Sequence, residues 1–181
     1  FLIKALFSVN SIVLKTMGHD WTQFKLRINI DDTSIKEVYD CWSTQHGLEL
    51  WFLRLAEFRG KNGNFRHSGE QIQKGDNYKW LWFGWDDNTL ENGIVLEANG
   101  KDQISYTFEN CEVAVKIFIE ENTTICELVQ SKIKLNENGE PATYLGCNSG
   151  WSFFMCNLKS ILEGGIDLRN KNEKLTNLIN A

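Results

Sequence analysis

The sequence predicts an α+β domain: an antiparallel sheet of about six or seven strands, two short helices after the first strand, and one long C-terminal helix laid over the sheet. Three observations carry this reading. Between Trp21 and Lys134 the apolar residues mostly alternate with polar ones, or stand in runs rich in β-branched and aromatic types, the pattern of half-buried strands. Short turn signals separate these runs, so consecutive strands become antiparallel neighbours. From Tyr144 to Glu163 the period changes. Tyr144, Cys147, Trp151, Phe154, Leu158 and Ile161 recur at steps of three and four, which places them on one helical face.

In order, Trp21 to Ile30 is the first strand, with Phe24, Leu26, Ile28 and Ile30 on one face. Asp32 or Thr33 is the expected N-cap of a short helix carrying Ile35, Val38, Tyr39 and Trp42. Ser43-Thr44 breaks it, and Gln45 to Phe52 forms a second short helix. Arg54 to Phe58 reads as a strand, Gly60 to Gly69 as a loop, and Gln71 to Gln73 as the start of another strand. Tyr78 to Trp85, YKWLWFGW, has high β-propensity, with Tyr78, Trp80 and Trp82 expected on one face and Leu81, Phe83 and Trp85 on the other. Gly93 to Asn99 follows, with Ile94, Leu96 and Ala98 on its inner side. Asn99-Gly100 is a hairpin signal. Gln103 to Phe108, Glu112 to Glu120 and Thr123 to Leu135 complete the sheet, with Glu121-Asn122 as a turn. Pro141 suits the first turn of the long helix, and Gly164-Gly165 ends it.

The chain has 181 residues, 42% hydrophobic and 12% aromatic, enough for one domain with a sizeable core. Its formal net charge is -5, which leaves no electrostatic footprint for nucleic acid. Cys41, Cys111, Cys126, Cys147 and Cys156 are odd in number and contain no C-x-x-C pair. They read as free, buried thiols in a reducing cytoplasm, with no metal site. Residues 1–16 are apolar but interrupted by Lys4, Ser8, Asn10, Ser11 and Lys15, too short and broken for stable membrane insertion. They are taken as an extension before a natural start at Met17, the domain as 17–169, and 170–181 as a polar tail. Met17-Gly18 with Thr22 nominally matches a myristoylation signal. Leu175, Leu178 and Ile179 stand at helical spacing in the tail.

The order of elements resembles the START-like, or SRPBCC, superfamily with its helix-grip fold, and most closely the branch named after the activator of the Hsp90 ATPase. The residues that carry the likeness are Tyr78-Lys79-Trp80-Leu81-Trp82, Trp85, Gly93 to Ala98, Gly150-Trp151, Asn157-Leu158-Lys159, Leu162-Glu163, Gly165 and Asp167-Leu168-Arg169. The resemblance spans Trp21 to Arg169 and implies a curved sheet gripping the C-terminal helix. It implies an apolar cavity for a lipid or other hydrophobic small molecule. A chaperone partner is implied by the branch, and a polyketide cyclase or hydrolase activity by the wider superfamily. The eukaryotic co-chaperones carry a separate domain that contacts Hsp90, for which this sequence is read as having no room.

The residues themselves bear on the same site, because a long helix over a twisted sheet leaves a wedge between them. Tyr78, Trp80, Trp82, Ile94, Leu96, Tyr106 and Phe108 from the sheet, and Cys147, Trp151, Phe154 and Leu158 from the helix, either line that wedge or fill it as core. Trp51 is expected to close its mouth. Phe83 and Trp85 are read as an outward apolar patch suited to a homodimer contact, or covered by a loop. His46 with Glu49 is the best-placed acid–base pair. No G-x-S-x-G, H-E-x-x-H or phosphate-binding glycine motif is present, and no cofactor is implied. Asp167 with Arg169 is expected to be an exposed ion pair that pins the chain end, worth about 0–1 kcal/mol.

Overall fold

The computed structural model describes residues 19–137, 139, 141–172, 174, 175 and 178. The extension, the start at Met17 and most of the tail segment lie outside these residues. Strands β1 (Phe24–Ile30), β2 (Leu55–Arg59), β3 (Asn77–Leu81), β4 (Leu90–Ala98), β5 (Gln103–Phe108), β6 (Cys111–Glu120) and β7 (Thr123–Ser131) form one sheet of order β1-β7-β6-β5-β4-β3-β2. Every pairing is antiparallel. Helices α1 (Ile35–Ser43) and α2 (Gln45–Trp51) follow β1, and α3 (Ala142–Leu162) closes the fold. This is the α+β helix-grip arrangement, with a curved sheet around the long helix.

Local chemistry explains most boundaries. Helix α1 begins at Ser34, not at Asp32 or Thr33. The Ser34 hydroxyl accepts from the Glu37 N–H at 3.2 Å, and the Glu37 carboxylate accepts from the Ser34 N–H at 2.8 Å. This reciprocal box satisfies two otherwise orphaned donors. Thr44 ends α1 and caps α2, its hydroxyl accepting from the Gly47 N–H at 2.9 Å. Glu109-Asn110 and Glu121-Asn122 all have positive φ, the geometry of tight hairpin turns. Gly164 takes a φ of 78° as α3 ends, and the Gly165 N–H donates to the Ser160 carbonyl at 2.7 Å.

Four expected elements differ. Gln71 makes only an isolated bridge with Thr44 and starts no strand. β7 stops at Ser131, where Lys132 turns to a φ of 62°. β3 stops at Leu81, and 82–89 is an irregular loop that turns at Gly84, φ 77°. In β4 the pairing with β3 sets Glu91 opposite Trp80 and Gly93 opposite Tyr78, so these residues and Val95 face inward. A bulge between Val95 and Glu97 restores the inward phase at Ala98. Ile94 is therefore 44% exposed on the outer face, and Leu96 lies in the bulge.

The core sits between α1, α2, α3 and the inner face of the sheet. Trp42, Trp51, Trp80, Tyr106, Leu48, Ile117 and Leu128 are wholly buried there. Gly93 is required by this packing: an added Cβ would lie 2.4 Å from the Tyr78 hydroxyl. That hydroxyl reaches across to donate to the Thr107 carbonyl. The thiols are all free; Cys41, Cys111 and Cys126 are buried, but Cys156 is exposed, against expectation. Among the described residues no helix is long and apolar enough to cross a membrane.

The segment after α3 is not held by an exposed ion pair. The Arg169 side chain is only 4% exposed. It donates to the carbonyls of Glu49, Leu50 and Leu53 at 3.0, 2.7 and 3.0 Å, and to the Asp167 carboxylate at 2.7 and 2.9 Å. The Glu49 and Leu50 carbonyls are orphaned acceptors in the last turn of α2, and Leu53 follows its cap. Buried Asn157 ties the same junction, donating to the Trp51 carbonyl at 2.6 Å and accepting from the Leu168 N–H at 2.7 Å.

Candidate functional site: an aromatic cleft beside the long helix

Loop 82–89 leaves the sheet beside the N-terminal half of α3, and a cleft of about 360 Å³ opens between them. Its walls are Phe52, Trp82, Trp85, Phe108, Trp151 and Phe154; Cys147, Gly146 and Gly150 form the floor, and Thr89 and Glu109 the polar rim. The rings contact one another: Phe52 lies 4.9 Å from Trp151 and 4.8 Å from Phe154, and Phe108 lies 5.3 Å from Trp151. Gly146 and Gly150 fall one helical turn apart. A Cβ built on either meets nothing within 4 Å, so the floor is flat because the side chains are missing. Helix-interior glycines cost roughly 0.5–1 kcal/mol each relative to alanine, a cost without return if the helix served only as core.

The loop is anchored from below. Arg54 donates to the Trp82 carbonyl at 3.2 Å and pairs with Asp87. Phe83 turns away from the cleft and lies under Arg169 and Lys171, 5.2 and 5.3 Å from its ring centroid. It is thus covered and is not part of an outward patch. Trp85 remains 58% exposed, at the cleft rim. On the helix side, the Trp151 indole donates to buried Gln130 at 2.9 Å, which fixes that wall in place. Burial pushes the Cys147 thiol up to about 11, and the Gln130 carboxamide holds the rise back.

Of the residues expected to bind a ligand, Trp82, Phe108, Cys147, Trp151 and Phe154 come together here. Tyr78, Trp80, Tyr106 and Leu158 are packed core. Tyr78 stacks on Trp80 at 4.0 Å, and the Tyr106 hydroxyl donates to the Trp42 carbonyl. Trp51 does not close a mouth: it is fully buried, and its indole donates to the Cys41 carbonyl at 3.0 Å. Phe52, the next residue, takes the cleft position instead. Ile94 and Leu96 do not line the cleft. Phe52, Thr89, Glu109, Gly146 and Gly150 were not expected. The glycine pair on an apolar-faced helix was the available signal.

His46 and Glu49 lie elsewhere, in a shallow depression with Asp167 and Arg169. The Glu49 carboxylate accepts from the Ala56 N–H and the Gln45 amide, each at 3.0 Å. It therefore holds α2 to β2, and His46 is exposed. Among the described residues no group of His, Cys, Asp and Glu could hold a metal ion.

The architecture recurs in solved structures. Protein SSP2350 from Staphylococcus saprophyticus superposes with a TM-score of 0.63 at 14% identity, covering 81% of this chain and 96% of that one. The Aha1 dimer from Colwellia psychrerythraea gives 0.58 at 18%, covering 79% and 97%. Bacillus halodurans protein BH1534 gives 0.57 at 18%, covering 78% and 96%. At such identities the likeness is one of fold. No curated protein sequence matches. A family model described as "Activator of Hsp90 ATPase homolog 1-like protein" matches residues 32–163, a stretch that takes in α1 through α3 and every wall of the cleft. The chain belongs to that family.

Proposed function

We propose that this domain binds one small hydrophobic molecule, or a single lipid chain, in the cleft between α3 and loop 82–89. The observation that carries the reading is the floor: two glycines hold open a space walled by aromatic rings. Apolar pockets with a few polar groups are the usual small-molecule sites, and this one is at the small end of their range. Its volume leaves room for roughly a dozen water-sized groups, too few for a two-chain lipid. Burial of apolar area at roughly 25 cal/mol per Å² supplies the driving force.

The test is a titration with the uncharged fluorophore N-phenyl-1-naphthylamine, alongside native mass spectrometry of gently purified protein. Wild type should enhance the fluorescence, and Gly150→Leu, whose side chain fills the floor, should not. Equal enhancement in both would refute the reading. A second reading, a chaperone-associated module or homodimer, is motivated by the family description and by the dimeric Colwellia relative. Retention on immobilised Hsp90, or a dimer mass in sedimentation that Trp85→Ser abolishes, would favour it.

A further inference from the structure

Taking the cleft as a ligand site, we infer that its occupant is a small organic cation: an apolar body bearing an ammonium group, seated on the rings of Trp82, Phe108 and Trp151 with its charge toward Glu109. Two features of different origin lead to this chemistry. The first is the wall. Aromatic faces carry negative potential and attract ammonium groups, most strongly where water is excluded.

The second is the sign of the surrounding charge. Glu109 lines the cleft and forms no ion pair among the described residues. Its place is set by the hairpin turn, where it has a φ of 50°, and by its N–H, which donates to Glu91 at 3.0 Å. Glu109 is thus the carboxylate of the cleft, and Glu91, hydrogen-bonded to its N–H, lines a separate depression. Burial and the Glu109 charge both push Glu91 up. The same two charges also help to raise the Cys147 thiol on the floor. No lysine or arginine lines the cleft among the described residues, and Arg54, which anchors the loop, is paired with Asp87. An anionic head group at this rim would meet the like charge of Glu109, and a neutral ligand would make no use of it. A cation neutralises it.

Calorimetric titration of the full chain with octyltrimethylammonium, octanesulfonate and octanol tests this at low ionic strength. The ammonium should bind roughly tenfold tighter than octanol, with the sulfonate weakest. Added salt should weaken the ammonium and not octanol. Glu109→Gln should shrink the preference of the ammonium over octanol and flatten its salt dependence, leaving the share supplied by the aromatic walls. Octanol or the sulfonate binding as tightly as the ammonium would overturn the charge assignment and leave the cleft standing. If no member of the series binds, or if Gly150→Leu does not weaken octanol, the cleft reading fails and the cation with it.

Discussion

Replacing Arg169 with alanine should destabilise the domain far more than a surface charge change would. The guanidinium is nearly buried and donates to two carbonyls in the last turn of α2, to that of Leu53 just beyond it, and to both oxygens of Asp167. Removing it strands those acceptors and leaves the carboxylate without its main partner. Breaking a buried pair in this way costs about 3–5 kcal/mol. For a domain of this size each kcal/mol shifts Tm by about 2–4 °C, so the melting point should fall by roughly 6–20 °C. Urea unfolding at pH 7 measures the loss directly, and Lys171→Ala is the control. Lys171 pairs with the same carboxylate at 2.8 Å but is 53% exposed, so it should cost at most about 1 kcal/mol.

The pH dependence gives a second readout. Burial of Asp167 acts to raise its pKa, but hydrogen bonds from Arg169 and Lys171 outweigh it and hold the carboxyl well below the usual range. A depressed folded pKa stabilises the protein above the unfolded value, near 3.9, and that part is lost as pH falls below it. Wild type should therefore begin to lose this contribution as pH falls below about 4, with only part of it gone at pH 3, and Arg169→Ala should show a shallower decline. A loss under 1 kcal/mol at pH 7, or identical pH profiles, would refute the account of this junction.

Three further outcomes are expected. Gly150→Ala should stabilise the protein by about 0.5–1 kcal/mol in thermal melts, since the new methyl enters open space in a helix, whereas Gly93→Ala should cost about 1–3 kcal/mol by driving a Cβ against the Tyr78 hydroxyl. Ser34→Ala should cost about 1 kcal/mol by removing the N-cap of α1, measurable by urea unfolding. Maleimide labelling of the native protein should modify exposed Cys156 first; Cys41 and Cys126, pushed up to about 12 by burial, should react only on unfolding.

The aromatic cleft was only partly legible. Trp82, Phe108, Cys147, Trp151 and Phe154 could be named because period places each on an inward face of its element. Tyr78, Trp80, Tyr106 and Leu158 share those faces and carry the same signal, yet they are packed solid. Which end of a greasy surface is filled and which stays open depends on how far α3 stands from the sheet, and that distance is not a property of any segment. Ile94 was misplaced for a related reason: alternation extrapolated across the bulge at Val95–Glu97 comes out one residue out of phase.

What the sequence determined alone was the kind and order of elements. Periodicity, turn pairs such as Glu121-Asn122 and the glycine stop after α3 act over a few residues and need no partner. What only the tertiary structure decided was every relation made across long separations. Arg169 is a cap for α2, not an exposed charge; Phe83 is covered, not outward; Glu109 and Gly150 share one cleft. These depend on contacts between residues tens of positions apart. Such contacts carry no periodic signature, because their geometry is set only once the sheet has closed around the helix.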